Sequence, residues 1–301
     1  MKQLITDLQA QHIGYISQQE IIAPYTTWKI GGPADVFVIP EDKSALIRMM
    51  KVITQHGVTW TVIGRGSNVL VTDKGIRGIV ILLGEAFETL RFEQHVVVAG
   101  ASHSLIKLSV LAAKQGLTGL EFAGGIPGSV GGAVYMNAGA HGSDMARILK
   151  HVELISAEGE CLLMQAAQLQ YEYRHSILQA RPHIVTEAVF ELAYGDRKEI
   201  AGAMASYKDR RLKTQPLQLA CAGSVFRNPD HHYAAKLIEE AGLKGSRVGD
   251  AEISPLHANF IVNTGKATAQ DVLSLIKYVQ QTVQDTSGIQ LVPEVMVVGE
   301  R

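Results

Sequence analysis

Apolar positions in the first third of the chain come in short blocks whose spacing changes from one to the next. Val36, Phe37, Val38 and Ile39 form a continuous run closed by Pro40, which predicts a buried strand. Between 44 and 56, Leu46, Ile47, Met50 and Ile53 recur at helical spacing and Gly57 supplies a stop, which predicts a helix. Residues 59–63 and 78–83 read as further strands, the first leading into Gly64-Arg65-Gly66-Ser67-Asn68. Beyond Gly84 the runs at 96–99, 152–155 and 184–192 are β-rich, with a helix predicted over 104–115. A third section opens with a charged amphipathic helix at 196–213. Its other helix, from 268 to 285, carries Val272, Leu275, Ile276, Val279 and Val283 on one stripe, a core-packing pattern. The stretches 257–263 and 291–298 read as strands, the latter interrupted by Pro293 and Glu294.

The 301 residues suggest two domains, taking roughly 150 residues per domain as a prior. A hydrophobic fraction of 47% with 19% charged residues allows a sizeable core and excludes a disordered chain. Lys and Arg total 28 against 29 Asp and Glu, so no basic excess points to nucleic acid. Cys161 and Cys221 make neither a disulfide framework nor a zinc pair, and the 11 histidines show no metal spacing. No metal is expected. The N-terminus lacks an export signal, and no apolar run approaches the ~18 residues of a membrane span. These features predict a soluble protein of a reducing, cytoplasmic compartment.

Glycine is the one excess. Of 29 glycines, seven fall between 124 and 142: Gly124, Gly125, Gly128, Gly131, Gly132, Gly139 and Gly142. Ile126, Val130, Val134 and Met136 are interleaved, unlike a flexible linker. A loop hugging a ligand and a purely structural turn are both open readings. The earlier segment Gly64 to Val69 is neither a Rossmann fingerprint, since Val69 holds the third glycine position, nor a P-loop. It is either a strand–turn–strand cupping an anion with backbone amides and the Ser67 hydroxyl, or an ordinary hairpin turn.

Taken together, the two glycine segments resemble the flavin-binding domain of the vanillyl-alcohol-oxidase (PCMH-type) superfamily. The ordered set Thr27-Trp28-Lys29-Ile30-Gly31-Gly32, Gly64-Arg65-Gly66-Ser67-Asn68 and Gly124-Gly125-Ile126-Pro127-Gly128-Ser129-Val130-Gly131-Gly132 is similar to the UDP-N-acetylenolpyruvoylglucosamine reductase family over the whole chain. The resemblance implies an α+β chain. Two FAD-binding subdomains are expected, 1–83 (with 292–301 returning to it) and 84–201, beside a smaller α/β substrate domain at 202–291. It implies noncovalent FAD held by Gly64, Arg65, Gly66, Ser67, Asn68, Val69, Gly124, Ile126, Pro127, Gly128, Ser129, Gly131, Gly132, Asn137, Gly139 and Ala140.

Further motifs extend the resemblance. Tyr171-Glu172-Tyr173-Arg174-His175-Ser176 matches a Tyr-Arg-x-Ser signature and makes Arg174 the active-site arginine; a guanidinium fork also suits a carboxylate. On the residues alone, an arginine between tyrosines equally well stacks at a surface. Within 222–229, Ser224 matches the family's proton donor, although a serine after glycine is ordinarily a turn residue. Glu294 interrupts an apolar strand, so it either faces solvent or belongs to a site; the resemblance gives it a role beside the arginine. Tyr173, Arg211, Lys213, Gln215, Asn228 and Asn259 are implied substrate contacts, with Lys208 and Arg210 left as a solvated helix face. No insertion between Arg174 and Ser224 provides the tyrosine-bearing loop of the better-known class, so the chain resembles the shorter second class.

The implied reaction uses NADPH to reduce FAD. Hydride then passes to the enolpyruvyl methylene of UDP-N-acetylglucosamine enolpyruvate, and a proton from Ser224 completes UDP-N-acetylmuramate for peptidoglycan. Arg174 and Glu294 would stabilise the enolate-like charge, Glu294 only as a neutral acid. Small-molecule substrates, no nucleic acid, no membrane insertion, and a monomer or weak homo-oligomer complete the expectation. Two rivals differ in kind: a flavin oxidase, whose flavin is often tethered through His or Cys, and a nonenzymatic nucleotide binder, which needs no Arg174, Ser224 and Glu294 together.

Overall fold

Helices α1 (Lys2–Ala10) and α2 (Lys43–His56) bury one face each against a four-stranded sheet. Local chemistry sets the bounds of α2. The Asp42 side chain accepts from the Ala45 amide at 2.7 Å, and Gly57 ends the helix at φ 60°. Leu46, Met49, Met50 and Ile53 then join Leu4 and Leu8 of α1 and Val36, Val38, Ile79 and Ile81 of the sheet in one core. The strands of that sheet run in the order Gly14–Ile21, Pro33–Pro40, Ile76–Leu82, Trp60–Ile63, the last pair parallel.

The computed structural model describes residues 1–300. The chain divides into two compact units, the first made of 1–18, 36–65 and 78–209, the second of 19–35, 66–77 and the chain from 210 onward. A second sheet of the first unit is antiparallel throughout, in the order Cys161–Gln165, Leu149–Ile155, Ile184–Glu191, Val96–Gly100, Leu90–Glu93. Helices α3 (Leu105–Lys114) and α4 (Val130–Met136) pack on it through Leu105, Leu108, Val130 and Val134, against Val97, Val152 and Phe190.

Helix α5 (Arg197–Thr214) occupies the expected place but is not the expected amphipathic helix. Only Ile200 is buried, and Leu212 is exposed. Its large apolar residues recur too sparsely to make a continuous stripe.

The second unit has its own core, in which Trp28, Ile30, Leu70, Val225 and Phe226 meet helices α6 (Ala234–Glu240) and α7 (Ala269–Ser287). At the start of α7, Thr268 and Asp271 form a reciprocal capping box. Asp73 adds to it by accepting from the Ala269 and Gln270 amides at 2.8 and 3.0 Å. The Thr27-to-Gly32 motif serves this core: the Trp28 indole donates to the Ile261 carbonyl at 2.7 Å, and the Asn263 amide donates to the Trp28 carbonyl at 3.0 Å.

Two strand expectations are corrected. The strand expected over 257–263 is confined to Ile261–Asn263, with Ala258 and Asn259 in a turn. The strand expected over 291–298 is Met296–Val298, paired in parallel with Val69–Val71. Pro293 lacks the N–H a ladder needs and makes only an isolated bridge to Phe226.

Candidate active site

The first glycine segment is not a hairpin turn, because the strands on its two sides enter different sheets: Trp60–Ile63 pairs with Ile76–Leu82, and Val69–Val71 with Met296–Val298. Glycine is demanded at both ends of the Gly64–Gly66 turn. A Cβ on Gly64 would stand 2.6 Å from the Ser129 hydroxyl of the second glycine segment. Gly66 has φ 62°, and a Cβ there would stand 2.2 Å from the Tyr25 carbonyl oxygen. The Thr27 amide and hydroxyl donate to the Gly66 carbonyl at 3.1 and 3.3 Å, tying the turn to the Thr27 motif. Arg65 is exposed, 4.0 Å from the Glu88 carboxylate, and Ser67 is half-buried.

The second glycine segment is not all loop. Val130, Ala133 and Val134 are buried on one side of the short helix α4, a periodicity present in the sequence but masked by its glycines. The buried Ser129 caps α4 by accepting from the Gly132 amide at 3.3 Å. Ahead of it, Gly124-Gly125 close a 3-10 turn and Ile126 and Pro127 lead to Gly128, whose carbonyl accepts from the Leu105 amide at 3.0 Å. Gly131 donates to the Ala101 carbonyl at 2.9 Å, where an added Cβ would meet the Ala101 Cβ at 3.0 Å. Gly139 and Ala140 pair with Asp144 and Ser143, and a Cβ on Gly139 would lie 2.5 Å from the Ser143 carbonyl oxygen.

This segment builds the place where Arg174 sits. Glu172 and His175 exchange backbone hydrogen bonds at 3.1 Å, making a tight turn with Tyr173 and Arg174 at its tip. Arg174 is left-handed there, φ 57°, a conformation costing about 1–2 kcal/mol for a residue with a Cβ. Surrounding contacts hold it. Its guanidinium donates to the Gly139 carbonyl at 2.8 Å and lies 4.9 Å from the centre of the exposed Tyr173 ring. Asn137, buried at φ 43°, donates to the Glu172 carbonyl and accepts from the Ala146 amide, both at 3.0 Å. The Ser176 hydroxyl donates to the Tyr135 carbonyl at 2.6 Å, and the Gln179 amide donates to the Arg174 carbonyl at 3.1 Å. Burial, aided by Asp144, pushes the Tyr171 phenol well above its ordinary value, so it remains a donor to the Val134 carbonyl at 3.0 Å. Sequence reasoning missed the supporting parts played by Tyr171 and Gln179, which no periodicity signals.

The second unit brings Ser224 and Glu294 onto neighbouring segments. The Glu294 amide donates to the Val225 carbonyl at 2.7 Å, and the Arg227 amide to the Val292 carbonyl at 2.9 Å. Both Ser224 and Glu294 are half-buried, and Ser224 follows Gly223 at φ 76°. Asn68 reaches this pair from the first glycine segment, donating to the Glu294 carbonyl at 3.3 Å, while its own carbonyl accepts from Met296 at 3.0 Å. Asn259 is buried, with both ends of its side chain on Phe226. Asn228 accepts from the Ala234 amide at 3.0 Å at the start of α6. Arg211 donates to Gln215 at 2.8 Å. Burial lowers the Arg211 value from the ordinary guanidinium range, against an opposing pull from Cys221. Lys213 is exposed.

Among the described residues no group of three or more His, Cys, Asp or Glu is placed to hold a metal ion, and no helix is long and apolar enough to cross a membrane.

Comparison with known proteins adds sequence-wide information. Residues 34–164 match an FAD binding domain family, and residues 215–298 match the C-terminal domain of UDP-N-acetylenolpyruvoylglucosamine reductase. A UDP-N-acetylenolpyruvoylglucosamine reductase 1 from Bacillus cereus is 50% identical over 300 residues, covering 99% of this chain and 100% of the relative. That of Anoxybacillus flavithermus is 49% identical over 302 residues, covering 100% of both. The crystal structure of the Thermus caldophilus reductase aligns with a TM-score of 0.83 at 38% identity, over 94% of this chain and 100% of that one. A berberine bridge enzyme variant, 13% identical, aligns with a TM-score of 0.52 over 64% of this chain and 44% of its own, a likeness of fold alone. The α+β, PCMH-type expectation agrees with these likenesses.

Proposed function

Because the chain belongs to the UDP-N-acetylenolpyruvoylglucosamine reductase family, we propose that it uses NADPH to reduce UDP-N-acetylglucosamine enolpyruvate to UDP-N-acetylmuramate. It is an FAD-dependent oxidoreductase of peptidoglycan synthesis. The observation that carries the finer reading is the Arg174 guanidinium held on the Gly139 carbonyl, which makes the second glycine segment and the anion-binding arginine one built unit.

The residues present fit a dinucleotide through the chemistry of the first segment, where the exposed Arg65 guanidinium and the half-buried Ser67 hydroxyl suit a diphosphate. A Cβ at Gly64, Gly66, Gly131 or Gly139 would meet the chain's own atoms, so those glycines serve its packing. Residues 64–69 and 124–140 would hold the FAD, which when bound supplies hydride chemistry at the substrate's methylene carbon. Arg174 neutralises the charge that develops on the adjacent carbon and carboxylate. Glu294 supports the same charge as a neutral acid, since a bare carboxylate would repel it. The Ser224 hydroxyl delivers the proton that completes the lactyl ether. Asn137, Ser176 and Gln179 orient Arg174, while Asn259 orients the segment after Ser224. Tyr173, Asn228, Arg211, Lys213 and Gln215 receive the nucleotide half. By role, residues 1–83 with 292–301, and 84–201, take the cofactor and 202–291 the substrate, a division that differs from the two compact units. The reading places the protein in the cytoplasm, as a monomer or weak homo-oligomer.

The test is spectroscopic. Purified protein should show a flavin spectrum that bleaches anaerobically with NADPH and recovers on adding the enolpyruvyl substrate. Acid precipitation should release the flavin into the supernatant. A colourless protein, or a bleached one that only oxygen restores, overturns the proposal.

A further inference from the structure

Arg227 follows Ser224 on the segment that pairs with the last stretch of the chain. Phe226 and Pro293 form an antiparallel bridge, flanked by the Glu294 amide on the Val225 carbonyl and the Arg227 amide on the Val292 carbonyl. Val225 therefore stands opposite Glu294, and Arg227 opposite Val292. Opposite residues of an antiparallel pair point to the same side, so Arg227 and Glu294 share one face as diagonal neighbours. Such neighbours lie about 7–8 Å apart, within reach of a long side chain. Val225 is buried and Val292 exposed, so this face opens to solvent at its Arg227 end.

The Arg227 side chain is half-buried, and its Nε is sealed from water without a hydrogen-bond partner. The other half-buried arginines among the described residues are all engaged. Arg48 donates to the Gln11 carbonyl at 3.1 Å, Arg174 to the Gly139 carbonyl at 2.8 Å, and Arg211 to Gln215 at 2.8 Å. Among the described residues no acceptor or acid is bonded to any nitrogen of the Arg227 guanidinium, and its two terminal nitrogens are not sealed. Partly burying a charge without a partner is unfavourable, and a methionine would cover the same apolar ground without that cost. The guanidinium is thus an unpaired fork at the open end of the face that carries Glu294. A fork of this kind matches a carboxylate or a phosphate.

We propose that Arg227 is a further substrate-binding residue whose terminal guanidinium nitrogens pair with an oxyanion of the bound substrate, an inference resting on the substrate reading above. That substrate carries two groups of this chemistry, its diphosphate and its enolpyruvyl carboxylate. A cation kept only for solvation predicts that its loss leaves binding alone.

The experiment uses FAD-loaded wild type, Arg227→Gln, Arg227→Met and Arg227→Lys. Calorimetry measures the affinity for UDP, which has the diphosphate and no carboxylate, and steady-state kinetics give kcat and KM for the enolpyruvyl substrate. Rates are taken per bound flavin and melting temperatures are recorded, so a loss of folded enzyme cannot stand in for the result. The glutamine and methionine variants should raise substrate KM about tenfold to a hundredfold, the worth of a hydrogen bond to a charged group. Their kcat should change less, as for lost uniform binding, their melting temperatures should match or exceed wild type, and Arg227→Lys should recover part of the affinity. An equal loss of UDP affinity assigns the contact to the diphosphate, and wild-type UDP affinity with raised KM assigns it to the carboxylate. Unchanged UDP affinity and KM in the glutamine and methionine variants, or a lysine variant as weak as the methionine one, overturns the inference. Wild-type enzyme that neither binds UDP nor turns over the enolpyruvyl substrate overturns the substrate reading itself.

Discussion

Asn259 grips Phe226 at both ends of its side chain: its Oδ1 accepts from the Phe226 amide at 2.9 Å and its Nδ2 donates to the Phe226 carbonyl at 2.8 Å. The Asn259 carbonyl also accepts from the Val225 amide at 2.9 Å, so one turn residue fixes the backbone immediately after Ser224. Asn259→Ala leaves two buried backbone groups unpaired, at about 1–3 kcal/mol each. We expect a lower melting temperature together with slowed flavin reoxidation by the enolpyruvyl substrate, while reduction by NADPH stays near normal. A rise in substrate KM alone would instead mark Asn259 as a nucleotide contact.

Ser224→Ala should separate the two half-reactions more sharply. Reduction by NADPH needs no proton delivered to substrate, whereas the second half-reaction should slow by ~10²–10⁴-fold, the usual worth of general acid catalysis. Ser224→Cys should recover part of the rate. Anaerobic stopped-flow absorbance of the flavin band reads each step alone, and equal slowing of both would reduce Ser224 to a folding residue.

Arg174→Lys keeps the positive charge but loses the guanidinium fork that reaches the Gly139 carbonyl. Loss of one preorganised stabiliser typically lowers kcat by about 10²–10³. We expect a fall of that order with FAD content unchanged, checked by steady-state kinetics alongside the flavin absorbance of the purified variant. An unaltered kcat would remove the arginine from the reaction.

Arg211 and Lys213, as diphosphate contacts, should raise substrate KM far more than they lower kcat when neutralised, the mark of lost uniform binding. Arg211→Met should have the larger effect, because Arg211 is less exposed than Lys213 and is oriented by Gln215 at 2.8 Å. Unchanged KM in both variants would leave them as solvated cations.

A pH-dependent part of the stability comes from Glu153, on the strand Leu149–Ile155. Desolvation works to raise its carboxyl, but hydrogen bonds from the Lys43 ammonium and from the Thr186 hydroxyl, the latter at 2.7 Å, outweigh it and hold it below the ordinary glutamate value. A depressed folded value means stability that is present above the unfolded pKa and lost as pH falls through the folded one. Melting temperatures of wild type and Glu153→Gln should therefore differ at neutral pH and converge in acid. A constant gap down to acid pH would assign the effect to packing.

The chain read alone determines its long helices and its inward-facing runs, because their causes are local. Asp42 and Gly57 bound α2, Thr268 and Gly288 bound α7, and in both the buried residues repeat at 3.6-residue spacing. The glycine segments and the residues of Tyr171 to Ser176 are equally legible as motifs, and so is the family they point to.

Tertiary structure decided everything that depends on partners far away in sequence. Ser224 and Glu294 become neighbours only because Val225 accepts from the Glu294 amide, a pairing no periodicity encodes. The same holds for the Phe226 contacts that turn Asn259 from a strand residue into a clamp, and for the missing ladder donor at Pro293 that shortens the last strand to Met296–Val298. Glycine hid α4, since its low helix propensity outweighs the Val130–Val134 spacing until Ser129 caps the helix and the sheet covers it. Propensity and spacing act over a few residues, while burial and hydrogen-bond satisfaction are settled only once distant segments meet.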